Sequence, residues 1–288
     1  MNARTWSARL ALLGSAGAFG AMAVLARRLS RPDMGFTAGH LAVLRFAVGV
    51  GVCLAAFRIR PSLHSPGDRR LLVLRGISGG LVVVLYFEAL ARISAGEAGI
   101  LYNLFPVIAT VLSLVLFKEW PTLHLAGALA LATAGVVLVL GQGRLAIGLG
   151  RGEAAALAAS FFAALSANAI RAARPTSNAT TLFFWFSLVG LPVVLPFALD
   201  PWPRLPAAWA LGVLMSLLAL AAQVLMAQAY GTLSVPEAAV WLQMTPVATY
   251  LLAWPVLGER LSLWGLAGIA LAVAGVAYGT VLGHRRVS

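Results

Sequence analysis

The sequence predicts an all-α integral membrane protein, with ten transmembrane helices forming two inverted five-helix repeats around a central cavity. Three observations carry that prediction: the composition, a series of ten apolar runs, and a match of the chain to itself at a fixed spacing. Of 288 residues, 61% are hydrophobic and only 10% charged, and the mean hydropathy is +0.92. A soluble domain is about 45–50% apolar and about 25% charged. Both values depart in the same direction, which excludes a water-soluble globule. Disorder is excluded too, because its signature is low hydrophobicity.

The apolar runs lie between clusters of Pro, Gly and charge, near residues 8–27, 38–57, 71–91, 96–117, 123–141, 153–171, 180–199, 206–229, 236–257 and 263–282. Each approaches the roughly 20 residues that a helix rising 1.5 Å per residue needs to cross about 30 Å of hydrocarbon. Lipid offers backbone polar groups no partner, so the runs must be helices. The alternating pattern of barrel strands is absent. Short connections make neighbouring runs antiparallel. The first run follows Arg4 and Arg9 and could be taken for a secretory signal. It continues straight into Arg27-Arg28, with nine further runs behind it, and reads as a retained helix.

The net charge of +12 comes from 21 basic residues against 9 acidic ones. Most of the basic residues sit in gaps between apolar runs, at Arg27, Arg28 and Arg31, at Arg58, Arg60, Arg69 and Arg70, and at Arg171 and Arg174. That placement orients a membrane protein and meets anionic lipid, and it argues against a nucleic-acid partner. With the N-terminus inside, cytoplasmic segments hold eleven basic residues and outer segments eight, which favours both termini in the cytoplasm. The single lysine, Lys118, amid Ala, Gly and Leu richness suggests a high-GC bacterial gene, hence the inner membrane. Cys53 is the only cysteine, so no disulfide or cysteine metal site is expected. No cofactor is expected either.

A shift of 140 residues lays the chain on itself without a gap. Ser94 falls on Ser234, Glu97 on Glu237, Pro106 on Pro246, Glu119 on Glu259 and Gly135 on Gly275, with 15 identities over the 56 positions 86–141. The halves are residues 1–141 and 152–288, joined by a loop at 142–151. Five spans per half is an odd number, so the second half enters the membrane the other way round. Such inverted repeats recur in secondary transporters, with the substrate near the midplane between them.

The segment Ser94-Ala95-Gly96-Glu97-Ala98, Tyr102-Asn103-Leu104-Phe105-Pro106, Lys118-Glu119 and Gly127 to Gly135 resembles the EamA domain of the drug/metabolite transporter superfamily. Its second copy runs Ser234-Val235-Pro236-Glu237-Ala238, Pro246, Gly258-Glu259-Arg260-Leu261 and Ala274-Gly275-Val276. The resemblance implies ten helices, cytoplasmic termini, spans 5 and 10 at the periphery, and transport of small metabolites. Amino acid export, aromatic amino acids included, is common in such families. Copy one has Lys118 where copy two has Gly258, which leaves the shape of that loop open.

Pro106 and Pro246 lie mid-span at equivalent places and should kink their helices as hinges. Three residues before each comes an amide, Asn103 and Gln243, about 9 Å in from Glu97 and Glu237 at the helical rise. The pair predicts a symmetric polar lining; the plainer alternative is interhelical packing. Tyr86, Tyr102, Phe105, Trp185 and Trp241 lie within spans and, with Gln228, are further candidates for the wall of a pocket for an amphipathic, net-neutral solute. Arg45 and Glu88 are in-span ionisable residues that could pair, or Glu88 could pair with Arg92 one turn on. Glu88 is thereby a candidate for proton coupling, the alternative being a structural ion pair. Glycines four apart, Gly76 and Gly80 or Gly275 and Gly279, read as close-packing sites.

Gly76-Ile77-Ser78-Gly79-Gly80 formally matches G-x-S-x-G, and its first four residues resemble the serine motif of intramembrane rhomboid proteases. A nucleophile elbow needs a strand-to-helix turn, whereas this motif lies in an apolar helix. No histidine (His40, His64, His124, His284) falls mid-span late in the chain to serve as its base. No metal motif or phosphate loop is present, so the reading is a transporter rather than an enzyme. Nucleotide-sugar or sugar-phosphate exchange, metabolite uptake, and a non-transporting scaffold are the alternatives to amino acid export.

Overall fold

The computed structural model describes residues 3–90, 92–93, 95–141, 150–258 and 262–282, and no strand occurs among them. The chain forms α1 (Ala3–Leu29), α2 (Ala38–Ile59), α3 (Arg69–Leu90), α4 (Ala95–Tyr102), α5 (Phe105–Phe117) and α6 (Leu123–Gly141). It continues with α7 (Arg151–Ala173), α8 (Ala179–Val194), α9 (Pro206–Tyr230), α10 (Val235–Leu242), α11 (Met244–Leu257) and α12 (Leu263–Leu282). Because α4–α5 and α10–α11 are each one broken span, these amount to ten helices long and apolar enough to cross a membrane. The side chains of Glu97, Glu259 and Arg260 and most of the 142–151 loop fall outside the described residues.

Helix starts follow the sequence. Thr37 accepts a bond from the His40 amide, Asn178 from Thr181 and Ser234 from Glu237, so short polar side chains satisfy orphan N–H groups. At the ends of α5 and α11 the two copies converge on one turn. Lys118 (φ 56°) and Gly258 (φ 72°) both adopt the left-handed conformation, so both copies end the helix with the same backbone turn at this position. The first helix begins at Ala3 rather than near residue 8, which brings Arg4 and Arg9 into it.

Packing repeats with the sequence. Here α3 of the first half lies against α7 of the second, and the equivalent contact is α9 of the second against α1 of the first. Likewise α5 on α7 corresponds to α11 on α1, and α3 on α8 to α9 on α2. Self-corresponding pairs, α2 with α8 and α6 with α12, join the halves. The α6–α12 seam depends on missing side chains: a Cβ on Gly275 would stand 2.6 Å from the Ala132 amide nitrogen. The Gly76 to Gly80 glycines likewise admit α8, with Phe186 over Gly79 and Val193 over Gly80. Both glycine sets serve close packing.

Candidate functional site

The two proline-bearing spans break where the amides stand. Asn103 and Leu104 separate α4 from α5, and Gln243 separates α10 from α11. Pro106 and Pro246 fall in the first turn of the following helix, where an N–H would have no intrahelical acceptor. The expected kinks are therefore full interruptions, displaced toward the amides. Asn103 Nδ2 donates to the Gly99 carbonyl at 2.8 Å, while its residue is half-buried. Gln243 is fully buried and its Nε2 donates to Thr133 Oγ1 at 2.7 Å, leaving Oε1 without a protein partner.

The aromatic candidates separate into groups. Tyr86, Tyr102 and Phe105 form one cluster, with Tyr102 ring centroids 5.0 Å from Tyr86 and 5.5 Å from Phe105. Trp241 is buried in the main core, and Trp185 packs against that core with its indole N–H unpartnered. Gln228 is exposed near the end of α9 and does not join the others; the face of that helix toward Arg75 carries Gln223 and Ala227 instead.

The most buried charge in this region was hidden in the sequence beside Arg69-Arg70. Arg75, in the second turn of α3, is 5% exposed. Its Nη2 donates to Gln223 Oε1 of α9 at 2.7 Å, and its Nη1 donates to Ser166 Oγ of α7 in a short contact. Its guanidinium carbon lies 4.1 Å from the centroid of Phe186, on α8. Arg45 approaches the same ring at 5.5 Å, touches Met22 Sδ at 3.9 Å, and keeps a buried Nε–H with no partner. Beside Arg75 and Gln223, among Ile170, Leu182, Phe183 and Ala227, lies a crevice too narrow to admit a water molecule, so the expected central cavity is closed here. A larger, open concavity flanks α2 at Leu54–Arg58, away from these polar groups.

The expected pairing of Arg45 with Glu88 does not form. Glu88 bonds Arg92 one helical turn away at 2.6 Å, both side chains about 45% exposed. Adjacent helical positions bring these two together at little entropic cost, whereas Arg45 rests on aromatic rings. At the bundle end where α1 begins, ion pairs instead cross between helices. Arg9 meets Glu237 of α10 at 2.6 Å, and Arg171 meets Glu119 at 2.9 Å. Glu119 also accepts the Val235 amide at 2.8 Å, and Arg171 donates to the Tyr230 carbonyl at 3.1 Å. At the opposite end, the Arg28 guanidinium beside Asp33 holds that carboxyl below its usual range.

Sequence reasoning did not single out Arg75, Ser166 or Gln223. One signal was available: Arg75 and Arg45 are the two basic residues that fall in neither set of loops.

Ten spans in two five-span sets, each with an interrupted fourth span, make a membrane-transporter architecture built on an internal repeat. The model of the EamA-like transporter family matches residues 6–141 and 150–280, and the chain belongs to that family. Among solved structures, one crystal structure superposes with a TM-score of 0.81 over 96% of this chain and 99% of its own, at 22% identity. That likeness concerns the fold alone. No curated protein matches the chain in sequence.

Proposed function

We propose that this protein is a secondary transporter that exports small amphipathic metabolites, amino acids foremost and aromatic ones included, across a bacterial inner membrane. Residues 1–141 and 152–288 act as the two repeats, with both termini cytoplasmic and 142–151 as the connecting loop. The observation that carries the reading is the matched pair of breaks at Asn103 and Gln243. Interrupted helices at membrane depth are tolerated where freed carbonyls meet protein or a wet cavity, and such breaks recur at transporter substrate sites. The aromatic cluster of Tyr86, Tyr102 and Phe105 beside the first break offers an apolar wall for the solute's body. Alternating access would come from rocking of one repeat on the other, with Pro106 and Pro246 beside the flexing points. Substrate is the only small molecule the reading requires; lipid surrounds the bundle, and protons are the candidate coupling ion.

The test is flux in liposomes holding the purified chain, with a labelled amino acid panel and with or without a pH gradient. Saturable flux for some members is the expected result. Flat traces across the panel would overturn amino acid export; saturable flux of sugar phosphates in the same liposomes would replace it.

A further inference from the structure

The geometry points to a site for an anionic group between Arg75 and Arg45, selecting organic carboxylates with a planar apolar body and no compensating ammonium. This rests on the transport reading above and shifts its preferred substrate from zwitterionic amino acids to net-anionic relatives of them.

The two arginines enter the bundle from opposite ends. Arg75 lies six residues into α3 and Arg45 seven residues into α2, each about 10 Å deep at the helical rise. Since α2 and α3 run antiparallel, the side chains converge across the middle of the bundle, and one ring, Phe186, has both cations against it. Among the described residues neither has an acidic partner. Three acids described within the bundle are committed elsewhere: Glu119 to Arg171, Glu237 to Arg9 and Glu88 to Arg92. Arg75 has only neutral acceptors, the Ser166 hydroxyl and the Gln223 amide oxygen. Arg45 has a thioether and two rings, with Nε–H unspent.

A guanidinium carries five donors in a fixed fork, and a carboxylate is its natural bidentate acceptor. Two desolvated cations at membrane depth with no counter-charge are costly and mark an anion's path. Tyr102 lies within electrostatic reach of both guanidiniums and stacks with Tyr86 and Phe105, which supplies a wall for a flat body next to the charged head. An ammonium on the same solute would find two cations and, among the described residues, no carboxylate against either of them. Net-anionic solutes should therefore outrank zwitterions, and zwitterions should outrank amines. A net anion would also leave a negative-inside cell down the electrical gradient, without a coupled ion.

Three probes that share one phenylethyl body isolate the head group: 3-phenylpropionate (carboxylate alone), phenylalanine (carboxylate and ammonium) and phenethylamine (ammonium alone). Calorimetric titration of the full chain in detergent should rank them in that order, with 3-phenylpropionate at least about tenfold tighter than phenethylamine, as a charge-assisted pair implies. Arg75→Gln should cost the anion at least about tenfold in affinity by the same reasoning. Arg75 ties three helices together and its variant can fail to fold. Arg45→Gln removes a side chain that gives no oxygen a hydrogen bond, so it should fold, weaken the anion several-fold and bind phenethylamine no more weakly than the wild type. Equal binding of acid and amine, no binding by any probe, or an Arg45→Gln protein with the wild-type ranking overturns the proposal. Flux in liposomes separates the two readings. Arginine-dependent binding without flux removes transport and keeps the anion site; saturable flux indifferent to both arginines does the reverse.

Discussion

The two interrupted spans share a proline, a break and an amide, yet their surroundings differ at the break itself. Around α10 the residues Val235, Pro236 and Ala238 to Gln243 are all buried, and its first turn is held by Arg9 and Glu119 of the first repeat. Gln243 extends that grip by bonding Thr133, also in the first repeat. Across the pseudo-symmetry, Tyr102 to Phe105 are half-buried, and Asn103 turns back to its own helix at Gly99. Duplication supplied two equivalent breaks, and the side chains around them made one a clasp between the repeats and left the amide of the other bonded within its own helix. Symmetry of backbone does not carry symmetry of role.

The sharpest way to break that contrast is to open the clasp at Glu119. Glu119→Gln leaves the largely buried Arg171 without its carboxylate and weakens the acceptor of the Val235 amide. The expected loss is about 2 kcal/mol, between the figures for an unpaired buried polar group and a broken buried ion pair. Thermal unfolding in detergent measures it, and a cysteine placed near Ser234 should label faster in the variant. No change in either would mean that the α1 end of the bundle is not clasped here.

Next come the amides, whose truncations should differ in kind. Gln243→Ala removes a buried bond between repeats and should lower stability by about 1–2 kcal/mol. Asn103→Ala touches only its own helix and should cost less than about 1 kcal/mol, while reducing flux more than stability. Melting curves and liposome flux on both proteins give the two axes. Equal effects on both would dissolve the distinction between the two breaks. The smallest effect belongs to Glu88→Gln, which loses an exposed pair of the kind that contributes about 0–1 kcal/mol. Flux driven by a pH gradient should survive it. If gradient dependence disappears instead, Glu88 carries the proton.

Much of this architecture was legible without coordinates. Apolar length alone located the ten spans, since a helix in lipid has no other way to satisfy its backbone, and the repeated Pro106 and Pro246 announced a kink in each of two spans, though not a full break. The identity of Asn103 and Gln243 at the breaks was legible too, but not their partners, because contacts between spans depend on rotation and register that no single helix encodes. Arg45 and Glu88 illustrate this: both are in-span charges at compatible depth, yet local geometry gave Glu88 to Arg92 and aromatic rings to Arg45. Arg75 escaped notice for another reason. Six residues after Arg69 it merges with a loop cluster on paper, while one and a half turns of helix place it deep among α7, α8 and α9.

The glycine seam between α6 and α12 has a consequence for tightness. Where Gly135 meets Gly268 and Ala272, and Gly275 meets Ala128 and Ala132, backbone lies directly on backbone, with no volume for a water molecule. A carrier that rocks must part its halves somewhere, and every gap it opens is a route for stray protons and ions. At these contacts the backbones leave no such route, so the seam is a place where the two halves meet without a gap for water or ions.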